Sequence, residues 1–190
     1  MSEIPQLTEL KPGVWHIDPA HSEVGFTVRH LISTVRGVFT DFAGDVIIAE
    51  DPSASRAHAE IKMGSIDTRN EERDAHVRSS EILDIENHPL MSFAGTGVSP
   101  ARRGAHATEP RFYLEGILTI RGVSKEVRML TEFHGTTYDP AWGTRAGFTA
   151  STTINRRDFG VQFNIPLQGD DVLLGDMVEI RLEIQAVLDG

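Results

Sequence analysis

The sequence predicts an all-β fold of eight to ten antiparallel strands interrupted by one helical segment. Apolar and polar residues alternate along most of the chain, which is the period of a strand with one buried face. The alternation is clearest over residues 178–188, where outward positions carry charges such as Glu179 and Glu183. Residues 68–83 break this pattern and contain neither Gly nor Pro. A length of 190 residues suits one domain.

Each predicted strand is a stretch of alternation bounded by turn residues. In chain order, these stretches are 14–17, 24–30, 35–49, 57–63, 90–98, 111–120, 127–134, 146–155 and 178–188. Residues 35–49 are expected to form one long strand or two strands broken near Gly44. Residues 99–110 are expected to form a long connection, because Pro, Gly and charged residues are concentrated there. The polar, proline-containing residues 1–12 are predicted to be a flexible tail before a single domain, 13–190.

Residues 68–83 are predicted to form a helical insertion between two strands. Thr68 and Glu71 have the spacing of a capping box, in which two side chains satisfy each other's free backbone N–H groups. Glu72 and His76 are four residues apart and would share a helix face. They are therefore a candidate acid/base pair, although a solvated helix surface is the commoner role of such a run.

Alternation leaves the overall architecture open. A sandwich and a closed barrel both bury one apolar face of every strand. A barrel of about eight strands can also enclose a small ligand. Small inward residues such as Ala59 and Gly116 suit a cavity, and they suit ordinary packing equally well.

Composition excludes several classes of function. The chain has 18 Lys and Arg against 28 Asp and Glu, a net charge of −10. This charge argues against nucleic-acid binding and against electrostatic attachment to an anionic membrane. The absence of cysteine excludes disulfides, thiolate catalysis and zinc–thiolate sites. No apolar run reaches a membrane-spanning length and the start lacks the features of a secretory signal, so we expect no stable membrane insertion and a cytoplasmic location.

Three histidines near the start are the first candidate site residues. His16, His21 and His30 lie close in sequence, but no helical or hairpin ligand pair emerges, so no metal site is expected. His30 shares its strand face with Val28 and is predicted to point inward. It is then either a hydrogen-bonded core histidine or a polar anchor in an apolar cavity.

A basic pair follows the strand that ends near Ile154. Arg156 and its neighbour Arg157 could hold a phosphate, because guanidinium groups match phosphate oxygens. A surface salt bridge, for example with Asp158, is the competing interpretation. No nucleophile elbow, dinucleotide-binding motif or phosphate loop occurs, so the sequence predicts no enzyme and no cofactor.

Several stretches together resemble the YceI-like, polyisoprenoid-binding family, over about Val14 to Leu188. They are the opening 15–31, the stretch Gly37-Val38-Phe39 with Phe42 and Gly44, the highly specific 66–79, then 83–89, Phe93, 118–124 and 154–160. The resemblance implies an eight-stranded antiparallel barrel of lipocalin-like form, with the helical insertion around residues 68–83. It also implies a hydrophobic tunnel for a polyisoprenoid or quinone-like lipid, and frequent homodimers.

The resemblance and the alternation together give a set of expected site residues. The expected lipid-binding wall is Phe26, Val28, His30, Phe39, Phe42, Met91, Phe93, Phe112, Leu114 and Phe148. The expected head-group contacts are His30, Asn155 and Arg156.

Three functions remain open at this point. The first is a lipid carrier, store or sensor without turnover, with a small amphiphilic lipid as its partner. The second is an enzyme that acts on an amphiphile inside the barrel, with His30 as acid/base. The third is a filled barrel with a structural or interaction role.

Overall fold

The computed structural model describes residues 4, 7–101, 111–168 and 172–190, and the fold is given for this part of the chain. It contains eleven strands and one α-helix. The strands are β1 (Gly13–Ile17), β2 (Glu23–His30), β3 (Ser33–Phe39), β4 (Phe42–Ile48), β5 (Arg56–Lys62), β6 (Ile66–Asp67), β7 (Leu90–Pro100), β8 (Arg111–Ile120), β9 (Val123–Asp139), β10 (Gly143–Asn155) and β11 (Leu174–Leu188). The helix is α1 (Glu71–Arg78).

The strands close into a barrel, as the resemblance implied. Neighbouring strands follow the order β1, β4, β5, β7, β8, β9, β10, β11, and β11 pairs with β1 again to complete a ring of eight. Every pairing is antiparallel. The prediction of an eight-stranded antiparallel barrel is therefore confirmed, and a sandwich is excluded.

The long strand β11 has two partners along one edge. Its end pairs with β1 through Ala186, and its earlier part pairs with β2 through Ile180. The strands β2, β3 and β6 extend from there beyond the ring. This extension leads into α1, so the helix lies at one end of the barrel.

The chain has a strand break in this region, but the break lies between β3 and β4 and not at Gly44. The chain turns at Thr40 and Asp41, whose backbone N–H groups bond to the carbonyl and hydroxyl oxygens of Ser65 at 3.2 and 3.1 Å. Gly44 lies inside β4, where a Cβ would collide with the carbonyl oxygen of His58 on β5. The glycine therefore marks a close approach of two strands and not a break.

The helical insertion is confirmed, but α1 is shorter than the predicted 68–83 at both ends and its cap differs from the prediction. The side-chain oxygen of Asn70 accepts the N–H of Arg73 at 2.9 Å, which makes Asn70 the N-cap of α1. Thr68 lies outside the helix, and its backbone N–H bonds to Asp74 at 3.0 Å. The predicted capping box of Thr68 and Glu71 is wrong, because Asp74 provides the partner of Thr68.

The described part of the N-terminal segment packs against the barrel. Ile4, Leu7 and Leu10 are buried, and they join Trp15 and Phe112 in one apolar cluster. The flexibility of residues 1–12 stays a prediction. Among the described residues of this segment, three apolar side chains at a spacing of three residues cover the barrel end opposite α1.

The predicted connection 99–110 lies partly outside the described residues. Strand β7 continues to Pro100, two residues beyond the predicted end at Val98. Residues 102–110 are not described.

Candidate ligand-binding cavities

Two cavities lie inside the barrel, one towards each end. The helix-side cavity is bordered by β2, β3, α1 and the segment after β10, and encloses about 1060 Å³ including the solvent at its opening. The Leu7-side cavity is bordered by Leu7 and by β4, β5, β7, β8 and β10, and encloses about 1050 Å³ counted in the same way. Both are lined mainly by apolar side chains, because the inward faces of the alternating strands point into them.

The two cavities adjoin. Val24, Met91 and Ile180 border both of them, so the same three side chains separate the two spaces. A flexible chain that occupied both cavities would pass these residues. We call this point the junction.

All ten side chains of the predicted lipid-binding wall border one or both cavities. The helix-side cavity is lined by Phe26, Val28, His30, Phe39 and Met91. The Leu7-side cavity is lined by Phe42, Met91, Phe93, Phe112, Leu114 and Phe148. Their role in binding stays a prediction.

His30 lies at the end of β2 and lines the helix-side cavity while half-buried. Its imidazole makes no hydrogen bond to any residue that the structure describes. A core histidine that is hydrogen-bonded within the protein is one of its two predicted roles. The absence of such a bond among the described residues does not support that role. A ligand group could therefore bond to this ring.

Arg156 also lines the helix-side cavity, but its guanidinium is fully engaged by the protein. It is 5% exposed and donates to the carbonyl oxygens of Gly175 (2.9 Å), Val161 (2.8 Å), Phe163 (2.8 Å) and Leu174 (3.4 Å), and to a carboxylate oxygen of Asp176 (3.2 Å). Burial lowers the pKa of Arg156. Five contacts match the five N–H donors of the side chain, so none is left for a phosphate.

Asn155 has a structural role as well. Its side-chain oxygen accepts the N–H of Arg157 at 3.0 Å and caps the short 3-10 helix Arg156–Phe159. Arg157 pairs with Asp176 at 2.7 Å. The predicted head-group contacts of Asn155 and Arg156 thus find no support in the geometry, because both side chains hold the segment after β10.

Sequence reasoning missed a different cation in the same cavity. Arg73 on α1 borders it, together with Thr68, Val77 and Leu83. The charged run 70–76 predicts a solvated helix surface or an acid/base pair, and neither interpretation places Arg73 in a cavity. Arg73 and Val77 are four residues apart, and this shared helix face was the signal that could have identified them.

The remaining histidine candidates contact carboxylates at the surface, and Asp45 contacts both His16 and His58. His21 contacts Asp18 at 2.8 Å, and His16 bonds to Asp45. This contact raises the pKa of His16. His76 contacts Glu81 at 2.7 Å, so the candidate acid/base pair of His76 and Glu72 finds no support in the geometry. Over the described residues, no three His, Asp or Glu side chains are grouped to hold a metal ion.

None of the described helices is long and apolar enough to cross a membrane. The fold and the cavities define a lipocalin-like barrel protein with an apolar interior. The family model for the YceI-like domain matches residues 15–186, and the chain belongs to this family. The resemblance stated from the motifs is thereby confirmed.

Relatives of similar length support the assignment. The chain is 32% identical over 182 residues to a UPF0312 protein of Staphylococcus epidermidis, covering 93% of this chain and 98% of the relative. It is 35% identical over 161 residues to a UPF0312 protein of Azotobacter vinelandii, covering 84% of this chain and 81% of the relative.

Solved structures share the barrel. BcnA of Burkholderia cenocepacia has a TM-score of 0.73 at 20% identity, covering 90% of this chain and 99% of that chain. The YCEI protein of Campylobacter jejuni has a TM-score of 0.66 at 28% identity, covering 91% and 96%. A polyisoprenoid binding domain from Saccharophagus degradans has a TM-score of 0.66 at 11% identity, covering 94% and 100%. At 20% and 11% sequence identity, BcnA and the Saccharophagus domain show the fold alone.

Proposed function

We propose that the protein binds a long-chain isoprenoid or a similar amphipathic lipid in the two cavities, as a carrier, store or sensor without turnover. The observation that carries the proposal is the pair of adjoining apolar cavities, which together form an extended space. Membership of the YceI-like family supports the class of ligand, and the polyisoprenoid binding domain of Saccharophagus degradans has the same barrel.

The energetics favour a long tail over a short one. Burial of each methylene contributes about 0.8 kcal/mol, so about ten carbons contribute about 8 kcal/mol. This is comparable with the cost of association, about 4 to 15 kcal/mol. A tail that reaches past the junction buries further carbons for little additional loss of freedom, so affinity should rise with tail length until both cavities are filled.

The direct experiment has two parts. Native mass spectrometry and solvent extraction of freshly purified protein should reveal a bound lipid. Calorimetric titration with geraniol, farnesol and geranylgeraniol should then show a dissociation constant that falls as isoprene units are added. If the protein carries no lipid and takes up none of the three alcohols, the proposal is wrong.

A variant at the junction tests whether one tail occupies both cavities. Ile180→Phe narrows the junction, so geraniol should still bind while geranylgeraniol loses its advantage. Glu183→Phe, on the exposed face of the same strand, is the matched control and should keep the wild-type order of affinities for the alcohols.

Recovery of the alcohols unchanged after incubation supports binding without turnover, and a chemically altered product would favour an enzyme.

A further inference from the structure

The hairpin turn between β2 and β3 carries two large apolar side chains at its tip. Leu31 is exposed and Ile32 is 100% exposed, so packing within the described part of the chain does not account for Ile32. Leu31 also has a φ of +53°, in the left-handed region that favours glycine and asparagine. The turn between β8 and β9 has Arg121 and Gly122 at the same two positions. Leucine and isoleucine favour neither the stability nor the solubility of such a turn, which points to a contact outside the chain.

A second exposed apolar segment lies beside this turn. The N–H of Leu31 donates to the carbonyl oxygen of Leu173 at 2.8 Å, and the N–H of Leu173 donates to the carbonyl oxygen of Ile165 at 3.0 Å. Exposed apolar residues from two distant parts of the sequence therefore meet here. We call them the tip surface, and they are Leu31, Ile32, Ile165, Leu167 and Val172. Residues 169–171 lie outside the described residues and are not part of this surface.

The tip surface adjoins the wall of the helix-side cavity. His30 and Leu174 pair across β2 and β11, and both line this cavity. Leu31 follows His30 directly in the chain, and Leu173 directly precedes Leu174. His30 is half-buried, so the cavity approaches the protein surface at this point. A partner that covered the tip surface would thus stand next to the ligand.

Two exposed arginines flank the turn. Nε of Arg29 donates to the carbonyl oxygen of Leu31 at 3.2 Å, which keeps this side chain beside the turn. Arg36 lies on the same face of the hairpin, two residues after Thr34, the partner of Arg29. Neither arginine forms an ion pair with a carboxylate among the described residues. Apolar side chains flanked by cations match a bilayer surface, where acyl chains lie beneath phosphate groups.

We propose that the tip surface docks reversibly on a lipid bilayer, so that the ligand passes between the bilayer and the helix-side cavity without crossing water. This inference rests on the proposed function, because a long-chain isoprenoid is held in a bilayer by its apolar tail. Burial of apolar side chains drives the contact, since a net charge of −10 gives no attraction to an anionic membrane. A symmetric contact with a second copy would bring the flanking arginines of both copies together, which disfavours that partner.

The experiment measures flotation of the protein with phosphatidylcholine vesicles in the absence of any isoprenoid. It compares the wild type, Ile32→Ser, the double substitution of Leu31→Asn with Ile32→Gly, and Tyr138→Ser. Tyr138 is 71% exposed beside the turn between β9 and β10, at the opposite end of the barrel, so it is the matched loss of an exposed apolar side chain. Circular dichroism and thermal melting establish that each variant is folded, and light scattering gives the oligomeric state.

We expect the wild type to float with the vesicles and Ile32→Ser to bind them about tenfold more weakly or worse, because a buried isoleucine side chain is lost from the contact. Tyr138→Ser should bind as the wild type does. The double variant should lose vesicle binding and yet melt no lower than the wild type, since Asn-Gly is the favoured sequence of a two-residue hairpin turn. A merely structural role of the turn would instead couple the two losses.

Transfer of farnesol from vesicles to the protein gives a second measurement. It should be slower in Ile32→Ser than in the wild type by the same factor as the loss of vesicle binding. The dissociation constant for farnesol in calorimetric titration should stay at the wild-type value, because Ile32 lies outside the cavity. Equal transfer rates in the two proteins would contradict docking through this surface.

A wild type that binds no vesicles overturns the inference, and so does a folded Ile32→Ser protein that binds them as the wild type does. A wild-type dimer that Ile32→Ser converts into a monomer, with no vesicle binding, assigns the tip surface to a second copy and overturns it as well. Failure of geraniol, farnesol and geranylgeraniol to bind in titration overturns the proposed function instead. Vesicle flotation requires no isoprenoid, so the two failures are distinguishable.

Discussion

The phenyl ring of Phe26 lies directly over Gly37, its partner on the neighbouring strand β3. A Cβ at Gly37 would collide with this ring and approach Cγ2 of Thr68 to 2.9 Å. The ring also packs against Phe39 with centroids 5.8 Å apart. The absence of a side chain at Gly37 thus sets where Phe26 lies in the wall of the helix-side cavity.

Gly37→Ala should reduce both stability and ligand affinity. The added methyl group forces the Phe26 ring to move, and overpacking of this kind costs about 1 to 3 kcal/mol. A ring displaced into the cavity takes space from the tail, so the dissociation constant for farnesol should rise severalfold. Thermal unfolding and calorimetric titration measure the two effects.

Gly147→Ala is the control for this substitution. The nearest atom to a Cβ there is Cβ of His134 at 3.7 Å, an ordinary contact. It should leave farnesol binding unchanged. A Gly37→Ala protein with wild-type melting temperature and affinity would show that Phe26 can move without cost.

The barrel and its apolar wall could be predicted from the sequence because both depend on a period of two. Alternation along β2 places Phe26, Val28 and His30 on one face, and all three line the helix-side cavity. The same rule places Phe112 and Leu114 in the Leu7-side cavity. Alternation could not distinguish a barrel from a sandwich, because closure depends on the long-range pairing of β1 with β11.

The polar part of the candidate site could not be predicted because it depends on contacts between distant residues. Arg156 resembles a phosphate ligand in sequence. Only its bonds to four backbone carbonyl oxygens reveal that its donors are occupied; these belong to Val161, Phe163, Leu174 and Gly175. Arg73 resembles a surface residue on a charged helix. Its inward orientation follows from the buried contact between Asp74 and Thr68, which no periodicity indicates.

Leu7→Ala should destabilise the protein through the end of the barrel. Leu7 is 3% exposed and borders the Leu7-side cavity. Removal of a buried leucine side chain costs about 2 to 5 kcal/mol. Denaturant unfolding should show this loss, whereas Glu9→Ala, which removes an exposed side chain in the same segment, should change stability little. Wild-type stability in Leu7→Ala would show that the N-terminal segment does not seal this end of the barrel.

The ion pair of Arg145 and Asp18 should make stability depend on pH in the acid range. Nη1 of Arg145 lies 2.7 Å from Oδ2 of Asp18, and the two side chains are 13% and 17% exposed. The hydrogen bonds from Arg145 first, and then from His21, lower the pKa of Asp18 to about 2. The ionised form is therefore the one that the folded state favours. The contribution of the ionised Asp18 carboxylate to the stability of the folded state is complete above about pH 4, the ordinary pKa of Asp. It is lost as the pH falls towards 2.

Asp18→Asn tests this contribution. After allowance for solvent screening, we expect the free energy of unfolding to fall by about 1 to 2 kcal/mol at pH 7. We also expect stability to depend less on pH between about 4 and 2. Denaturant titrations over this range measure both. Asp158→Asn, at an exposed position, should retain the wild-type profile. Parallel profiles for Asp18→Asn and the wild type would mean that another group controls acid unfolding.

Arg156→Lys should cost stability without changing the preference between head groups. Lysine keeps the charge but cannot reach the four carbonyl oxygens that the guanidinium bridges, and the unsatisfied buried groups cost about 3 kcal/mol or more. Denaturant unfolding of Arg156→Lys and of the exposed control Arg157→Lys gives this difference. In the folded protein, farnesol and farnesyl diphosphate should lose affinity by the same factor, because Arg156 supports the cavity wall and contacts no head group. A loss confined to farnesyl diphosphate would instead assign Arg156 to the head group.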